Sequence, residues 1–160
     1  MIIRKATAAD TAGVWEIFRE VIQAGDTYVF DPATPQEDLQ KHWFAPYMYT
    51  YVAEEGGHII GTYILKPNQI DLGAHIANGS YMVHAGFRGR GVGEALCLHS
   101  LQEARQLGFR AMQFNIVVST NTQAVKLWQK MGFSIIGTVP EAFQHQELGL
   151  VDAHIMYRKL

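Results

Sequence analysis

The stretch with the most chemical potential is Phe87-Arg88-Gly89-Arg90-Gly91-Val92-Gly93-Glu94, set between an apolar strand-like run and an amphipathic helix-like run. Glycines at alternate positions let the backbone turn tightly and approach a ligand with no Cβ atoms in the way. Successive N–H groups can then converge on phosphate oxygens at a helix N-terminus. Each N–H bond to a charged oxygen contributes about 1.5–3 kcal/mol, against roughly 0.3–1 kcal/mol from the helix dipole. Main-chain contacts would therefore dominate a diphosphate site, with Arg88 and Arg90 adding charge. A plain flexible turn carrying two solvated arginines is the competing reading. Spelling excludes two other phosphate loops. Walker A ends in Gly-Lys-Ser/Thr, whereas Gly93 is followed by Glu94 and Ala95. A dinucleotide fingerprint reads G-x-G-x-x-G, whereas this run is G-x-G-x-G and lies past mid-chain, behind a hairpin-like pair.

Two asparagines sit in otherwise apolar strand-like runs, Asn78 in 76–85 and Asn115 in 112–118. Asparagine is depleted in strands, and a buried amide without a partner costs about 1–3 kcal/mol, so a ligand could be that partner. Asn78 precedes Gly79, and Asn-Gly equally marks a hairpin turn or bulge; both readings stand. Alternation along the second run places Gln113 and Asn115 on one face and Phe114 and Ile116 on the other. Tyr28 and Phe30, in the loop 25–32, can wall a substrate pocket or tuck into the core. The seven histidines show no ligand spacing and there is one cysteine, so no metal site is expected. Cys97 reads as a small buried apolar residue rather than a nucleophile.

The elements that must position these residues follow from periodicity. Ile2–Ala6 reads as a strand, and Thr7-Ala8-Ala9-Asp10 as a helix start leading into a stripe of Val14, Ile17, Phe18, Val21 and Ile22. Thr34-Pro35-Gln36-Glu37 signals a second helix through Phe44, with proline at its first position. Tyr49–Ala53 and His58–Leu65 form a hairpin around Gly56-Gly57, and Ile76–Ala85 is a further strand. Glu94–Leu107 is a helix stopped by Gly108, Met112–Val118 a strand, and Thr120 or Asn121 caps a helix reaching Met131. Strands begin at Phe133 and cover Val151–Tyr157. The order is βααβββαβαββ, an α/β (α+β) mixed sheet with helices on its faces.

At 160 residues with 48% hydrophobic and 18% charged, the chain suits one domain, 1–160, rather than a disordered or fibrous polymer. The formal charge, 13 − 15 = −2, offers no basic field for nucleic acid or a membrane surface. Residues 1–5 lack a secretory pattern and no apolar run approaches the roughly 20 residues of a membrane span, so a cytoplasmic location is expected.

Arg88-x-x-Gly91-x-Gly93, followed by Asn121-x-x-Ala124-x-x-Leu127-Trp128-x-x-Met131-Gly132-Phe133, resembles the GCN5-related N-acetyltransferases (GNAT), which bind acetyl-coenzyme A (acetyl-CoA). The resemblance covers essentially the whole chain. It implies the GNAT-like acyl-CoA acyltransferase fold, with a central, mostly antiparallel sheet flanked by helices. It further implies that the main chain of Met82 and Val83 pairs with the pantetheine arm, and that Arg88, Gly89, Arg90, Gly91, Val92 and Gly93 hold the pyrophosphate. Asn121 would contact the cofactor from the next helix, and the Val83 N–H would stabilise an oxyanion. Many members carry tyrosine where Trp128 stands, and use that phenol to protonate the leaving thiolate. An indole N–H is no acid near neutral pH, so Trp128 reads as packing with cofactor contact.

A narrower resemblance, over His75–Gly79, Arg88–Gly93 and Phe114–Asn121, is to fungal acetyltransferases acting on azetidine-2-carboxylate and related proline analogues. It implies that Asn78 and Asn115 serve catalysis and substrate binding. The expected activity is acetyl transfer from acetyl-CoA to a small-molecule amine by direct attack. A non-catalytic acyl-CoA-binding module and a protein N-acetyltransferase are the alternatives. The resemblance admits a homodimer.

Overall fold

The computed structural model describes residues 1–160. The chain runs β1 (Ile2–Lys5), α1 (Thr11–Ala24), α2 (Leu39–Trp43), β2 (Tyr49–Glu55), β3 (His58–Pro67), β4 (Ile76–Val83), α3 (Val92–Gln106), β5 (Ala111–Val118), α4 (Thr122–Lys130), β6 (Ser134–His145) and β7 (Gly149–Lys159). That is the order read from periodicity. The strands form one sheet, β1-β2-β3-β4-β5-β7-β6, in which only β4 and β5 pair in parallel.

Period-two alternation along the middle strands sorts the core into two layers. Tyr51, Ala53, Tyr63, Leu65, Ala77 and Tyr81 enter one buried cluster with Leu96, Leu101 and Ala104 of α3. Val52, Ile64 and Met82 enter the other, against Val14, Ile17, Phe18 and Ile22 of α1 and Leu39 and Trp43 of α2. Each large apolar side chain so buried contributes roughly 1.5–3 kcal/mol. The α1 stripe has helical spacing because it faces this one layer, and the helix stops where Gly25 turns left-handed at φ 63°.

Three local readings shift. Pro35 is extended, with ψ 156°, and precedes a 3-10 turn, Gln36–Asp38; only five α-helical residues follow. Proline's fixed φ suits both conformations, so ψ decides. The strand that begins near Phe133 runs to His145, and its partner is likewise longer than Val151–Tyr157. Register breaks within β6 hide that length from a period-two pattern. Helix α3 starts at Val92, two residues before Glu94.

Two features of the sheet make the site. β4 and β5 pair only at Ile76↔Ala111, Ala77↔Met112 and Asn78↔Gln113, although β4 continues to Val83 and β5 to Val118. In β5 the register against β7 shifts between Phe114↔Met156 and Val117↔His154. That is one extra residue, so Asn115 and Ile116 form a bulge.

At the other end of the chain a charged tie fixes β1 to α1. Arg4 donates to both Asp10 carboxylate oxygens at 2.8 Å and to Glu54 at 2.8 and 3.0 Å, and the Thr7 N–H donates to Asp10 at 2.7 Å. The Arg4 hydrogen bonds hold the Asp10 carboxyl down at about 2. Because the folded value lies below the unfolded 3.8, this contribution is complete above pH 4 and lost as pH falls toward 2. Asp10→Asn is therefore expected to cost about 1–2 kcal/mol at pH 7, since partial solvation of Arg4 weakens the pair. Urea midpoints should show a wild-type advantage at pH 7 that has vanished at pH 2.

Candidate active site

Beyond the Asn78–Gln113 pair a cleft of about 550 Å³ opens between the diverging strands. Its floor is set by hydrogen-bond parity. The His84 N–H bonds to the Ile60 carbonyl and the Asn68 N–H to the Ile76 carbonyl. In an antiparallel ladder such pairs alternate. Met82 therefore turns its main chain toward Thr62 of β3, and its side chain, 2% exposed, toward α1. Tyr81 and Val83 turn theirs toward the open side. Of the expected pair Met82 and Val83, only Val83 keeps main-chain groups for a ligand; Met82 has spent its own on β3.

The deeper of the two open positions is filled. The Tyr28 hydroxyl donates to the Tyr81 carbonyl at 2.6 Å and accepts from the Tyr81 N–H at 2.7 Å. Tyr28 thus stands where a strand partner would, while its ring lines the cleft. Phe30 lines the same cleft and also packs on Phe18 (5.1 Å between ring centroids) and His42 (4.7 Å). The choice between pocket wall and core does not arise, because both residues are both.

The glycine loop lies at the other end. The left-handed Gly91, φ 79°, is the N-cap of α3, and the first helical bond runs from the Ala95 N–H to its carbonyl. The N–H groups of Val92, Gly93 and Glu94 are left without helical partners. No heavy atom lies within 4 Å of where a Cβ would stand at Gly89 or Gly91, so the left-handed backbone, not crowding, requires glycine there. Val92 can serve only through its main chain, since its side chain is 4% exposed in the core. The two arginines part company. Arg88 lines the cleft, whereas Arg90 pairs with Glu55 at 3.3 Å and lies 4.8 Å over the Phe87 ring. Asn121 caps α4, its side-chain oxygen accepting from the Ala124 N–H at 3.3 Å, which leaves its side-chain amide nitrogen for the cleft.

Asn78 is no turn. It lies within β4, 8% exposed, with its amide nitrogen donating to the Gln113 carbonyl at 3.0 Å and its side-chain oxygen unused by the protein. Asn115 is solvent-facing on the bulge, accepting from Gln113 at 3.1 Å and donating to Asn68 at 2.8 Å. The bulge overrides the expected alternation: Ile116, placed opposite Asn115 by period two, is 38% exposed and lines the same cleft. Lys66, Asp26 and Asn68 carried no sequence signal. A lysine or aspartate near an element's end is ordinary, and only the Lys66↔Asn78 register reveals the neighbourhood.

None of the buried titratable groups here is an acid near neutral pH. Burial pushes the Tyr28 and Tyr81 phenols well above their ordinary range and the Cys97 thiol up to about 12. Trp128 lines the cleft and packs 5.0 Å from Tyr81 and 4.9 Å from Phe114. The structure contains no cluster of three His, Cys, Asp or Glu side chains suited to a metal, and no helix long and apolar enough to cross a membrane.

A model of the acetyltransferase (GNAT) family matches residues 15–133. N-acetyltransferase aca1 of Schizosaccharomyces pombe is 28% identical over 153 residues, covering 84% of this chain and 72% of that protein. The L-methionine sulfoximine/L-methionine sulfone acetyltransferase of Salmonella typhimurium is 27% identical over 146 residues, 88% of this chain and 84% of that one. A GCN5-related N-acetyltransferase structure from Kribbella flavida superposes with a TM-score of 0.94 at 47% identity, covering 99% and 97% of the two chains.

Removing the Tyr28 hydroxyl leaves two buried main-chain groups of Tyr81 without partners. Tyr28→Phe should destabilise the fold by about 1–3 kcal/mol. Chemical denaturation reads this directly, and an unchanged midpoint would mean that water replaces the hydroxyl.

Proposed function

The chain belongs to the acetyltransferase (GNAT) family, and from that premise we propose that it acetylates the amine of a small acceptor of the amino-acid or proline-analogue class by direct attack on acetyl-CoA. Acetyl-CoA is the co-substrate; it supplies the acetyl group and leaves as the free thiol. The observation that carries the reading is the parting of β4 from β5 beside Val83, with Arg88 and Asn121 on the same cleft. The relative acting on methionine sulfoximine and methionine sulfone supports an amino-acid-like acceptor. So does the aromatic wall of Tyr28 and Phe30, which bounds a cleft of small-molecule size.

Arg88, the free N–H groups of 92–94 and the Asn121 amide grip the diphosphate end. The Val83 N–H and carbonyl, already in place, pair with an amide of the pantetheine arm, which carries the thioester on along the cleft toward Asn78. The Asn78 side-chain oxygen accepts from the attacking amine and orients its lone pair, and Asn115 borders the acceptor. An α-amino group at a peptide terminus has an ordinary pKa of about 7.7–8.0, and a free amino or imino acid, whose own carboxylate stabilises the ammonium, is more basic still, so the site takes the small neutral fraction that water has already deprotonated. The nitrogen's proton passes through water to the departing thiolate, since Trp128 cannot supply one.

Thiol release from acetyl-CoA with a panel of amino acids, proline analogues and peptides tests the reading. Release with small amino or imino acids is expected. Release with peptides alone would assign a protein acetyltransferase, and binding without release an acyl-CoA-binding module. Asn78→Ala should lower kcat/KM by roughly 10- to 100-fold, as loss of a positioned hydrogen bond does, while Trp128→Phe should stay within about threefold if no acid resides there. Gly91→Glu combines left-handed strain with an anion beside the diphosphate, and should weaken acetyl-CoA binding at least roughly 30-fold by calorimetry.

A further inference from the structure

Three charged side chains line the cleft: Lys66, Arg88 and Asp26. None of them forms an ion pair or a side-chain hydrogen bond within the protein, in contrast to Arg4, Lys41, Arg90 and Lys130. Arg88 stands at the phosphate loop. Lys66 stands at the opposite end, where the register sets it directly across from Asn78. Residues so paired share one face of a sheet, with Cβ atoms within about 5.5 Å. That face is the one carrying Ile64 and Met82 against α1 and α2. Consistent with this, His42 of α2, whose pKa is lowered first by burial and then by Lys41, also feels the charge of Lys66. Asn78 and Val83 are five positions apart, about 17 Å along a strand, so neither cation can serve the other's ligand.

A half-buried lysine that lines the cleft with no counter-ion, beside the amide that orients the amine, is one half of an ion pair whose other half is brought by a ligand. Building on the acetyltransferase reading above, we propose that Lys66 binds the carboxylate of the acceptor, so that the site selects free 2-amino and cyclic imino acids over the corresponding amides, esters and simple amines. Asp26, the one anion on the cleft, makes the lining complementary to a zwitterion rather than to an anion alone. Asn115, held by both Gln113 and Asn68, supplies a fixed amide at the same end. Lys66 is a specificity-determining residue: it touches the acceptor, away from the bond that forms.

The test pairs each accepted amino acid, with azetidine-2-carboxylate and methionine sulfone included, with its carboxamide. Thiol release is measured for wild type, Lys66→Met and Lys66→Arg, with acetyl-CoA affinity by calorimetry as the folding control. Wild type should prefer the acid by roughly 10- to 100-fold in kcat/KM, the worth of one charge-assisted hydrogen bond. Lys66→Met should erase that preference through KM, leaving carboxamides within about threefold and acetyl-CoA affinity unchanged, while Lys66→Arg should restore most of it. Equal use of acids and carboxamides by wild type, or an intact preference in Lys66→Met, overturns the proposal while leaving the acetyltransferase reading standing. Should Lys66→Met fail to bind acetyl-CoA, the wild-type ratio and Lys66→Arg decide. Release with no small amine overturns both, and is recognisable as failure of the broader reading.

Discussion

A parallel strand pair that stops after three residues leaves main-chain donors and acceptors of β4 facing open space, and buried groups of that kind must find partners. The whole site is an answer to this demand. At Tyr81 the answer is internal, a phenol hydroxyl in place of a strand. At Val83 no internal answer exists, and a ligand with amide and carbonyl groups can supply one. The parting itself is held from both sides. β4 is tied to β3 by seven register pairs, while β5 is bound to β7 and bulges at Asn115 and Ile116. Neither strand can relax toward the other without losing a ladder.

Charge is arranged locally rather than globally. With a net charge of −2 the molecule as a whole repels a diphosphate slightly, and in the proposed site the attraction comes from the loop amides, the α3 N-terminus and Arg88. Arg90 does not add to it, because Glu55 neutralises it. Chemistry follows the same economy. No buried phenol or thiol beside the cleft is acidic enough to protonate a thiolate near neutral pH, so in the proposed transfer the amine is oriented by Asn78 and its proton reaches the thiolate through water.

Much of the scaffold was legible because apolar periodicity reports burial. The α1 stripe, the alternation in β2 to β4 and the glycine before α3 each have a direct physical reading, and all eleven elements appear in the expected order. The glycine turn that opens α3, where the donor site is proposed, was legible through Gly91, whose left-handed backbone is a local property. The acceptor site was not. The bulge at Asn115–Ile116 depends on β7, a strand that follows it in the chain. The Tyr28 hydroxyl reaches a residue 53 positions away, and Arg90 is taken by one 35 positions away. Such contacts are set by tertiary packing, to which local propensity is blind. Asn78 shows the same limit: Asn-Gly reads as a turn until a flanking strand claims it.

The central claim is that the Val83 N–H and the amides of the glycine loop are the groups that receive acetyl-CoA. Amide nitrogen–proton correlation spectra recorded across a titration with acetyl-CoA test it most directly. Large shifts and slowed exchange are expected at Val83, Gly91, Val92 and Gly93, with Met82, bonded to β3, little changed in exchange. Saturable binding that leaves the Val83 amide unshifted and unprotected would contradict it.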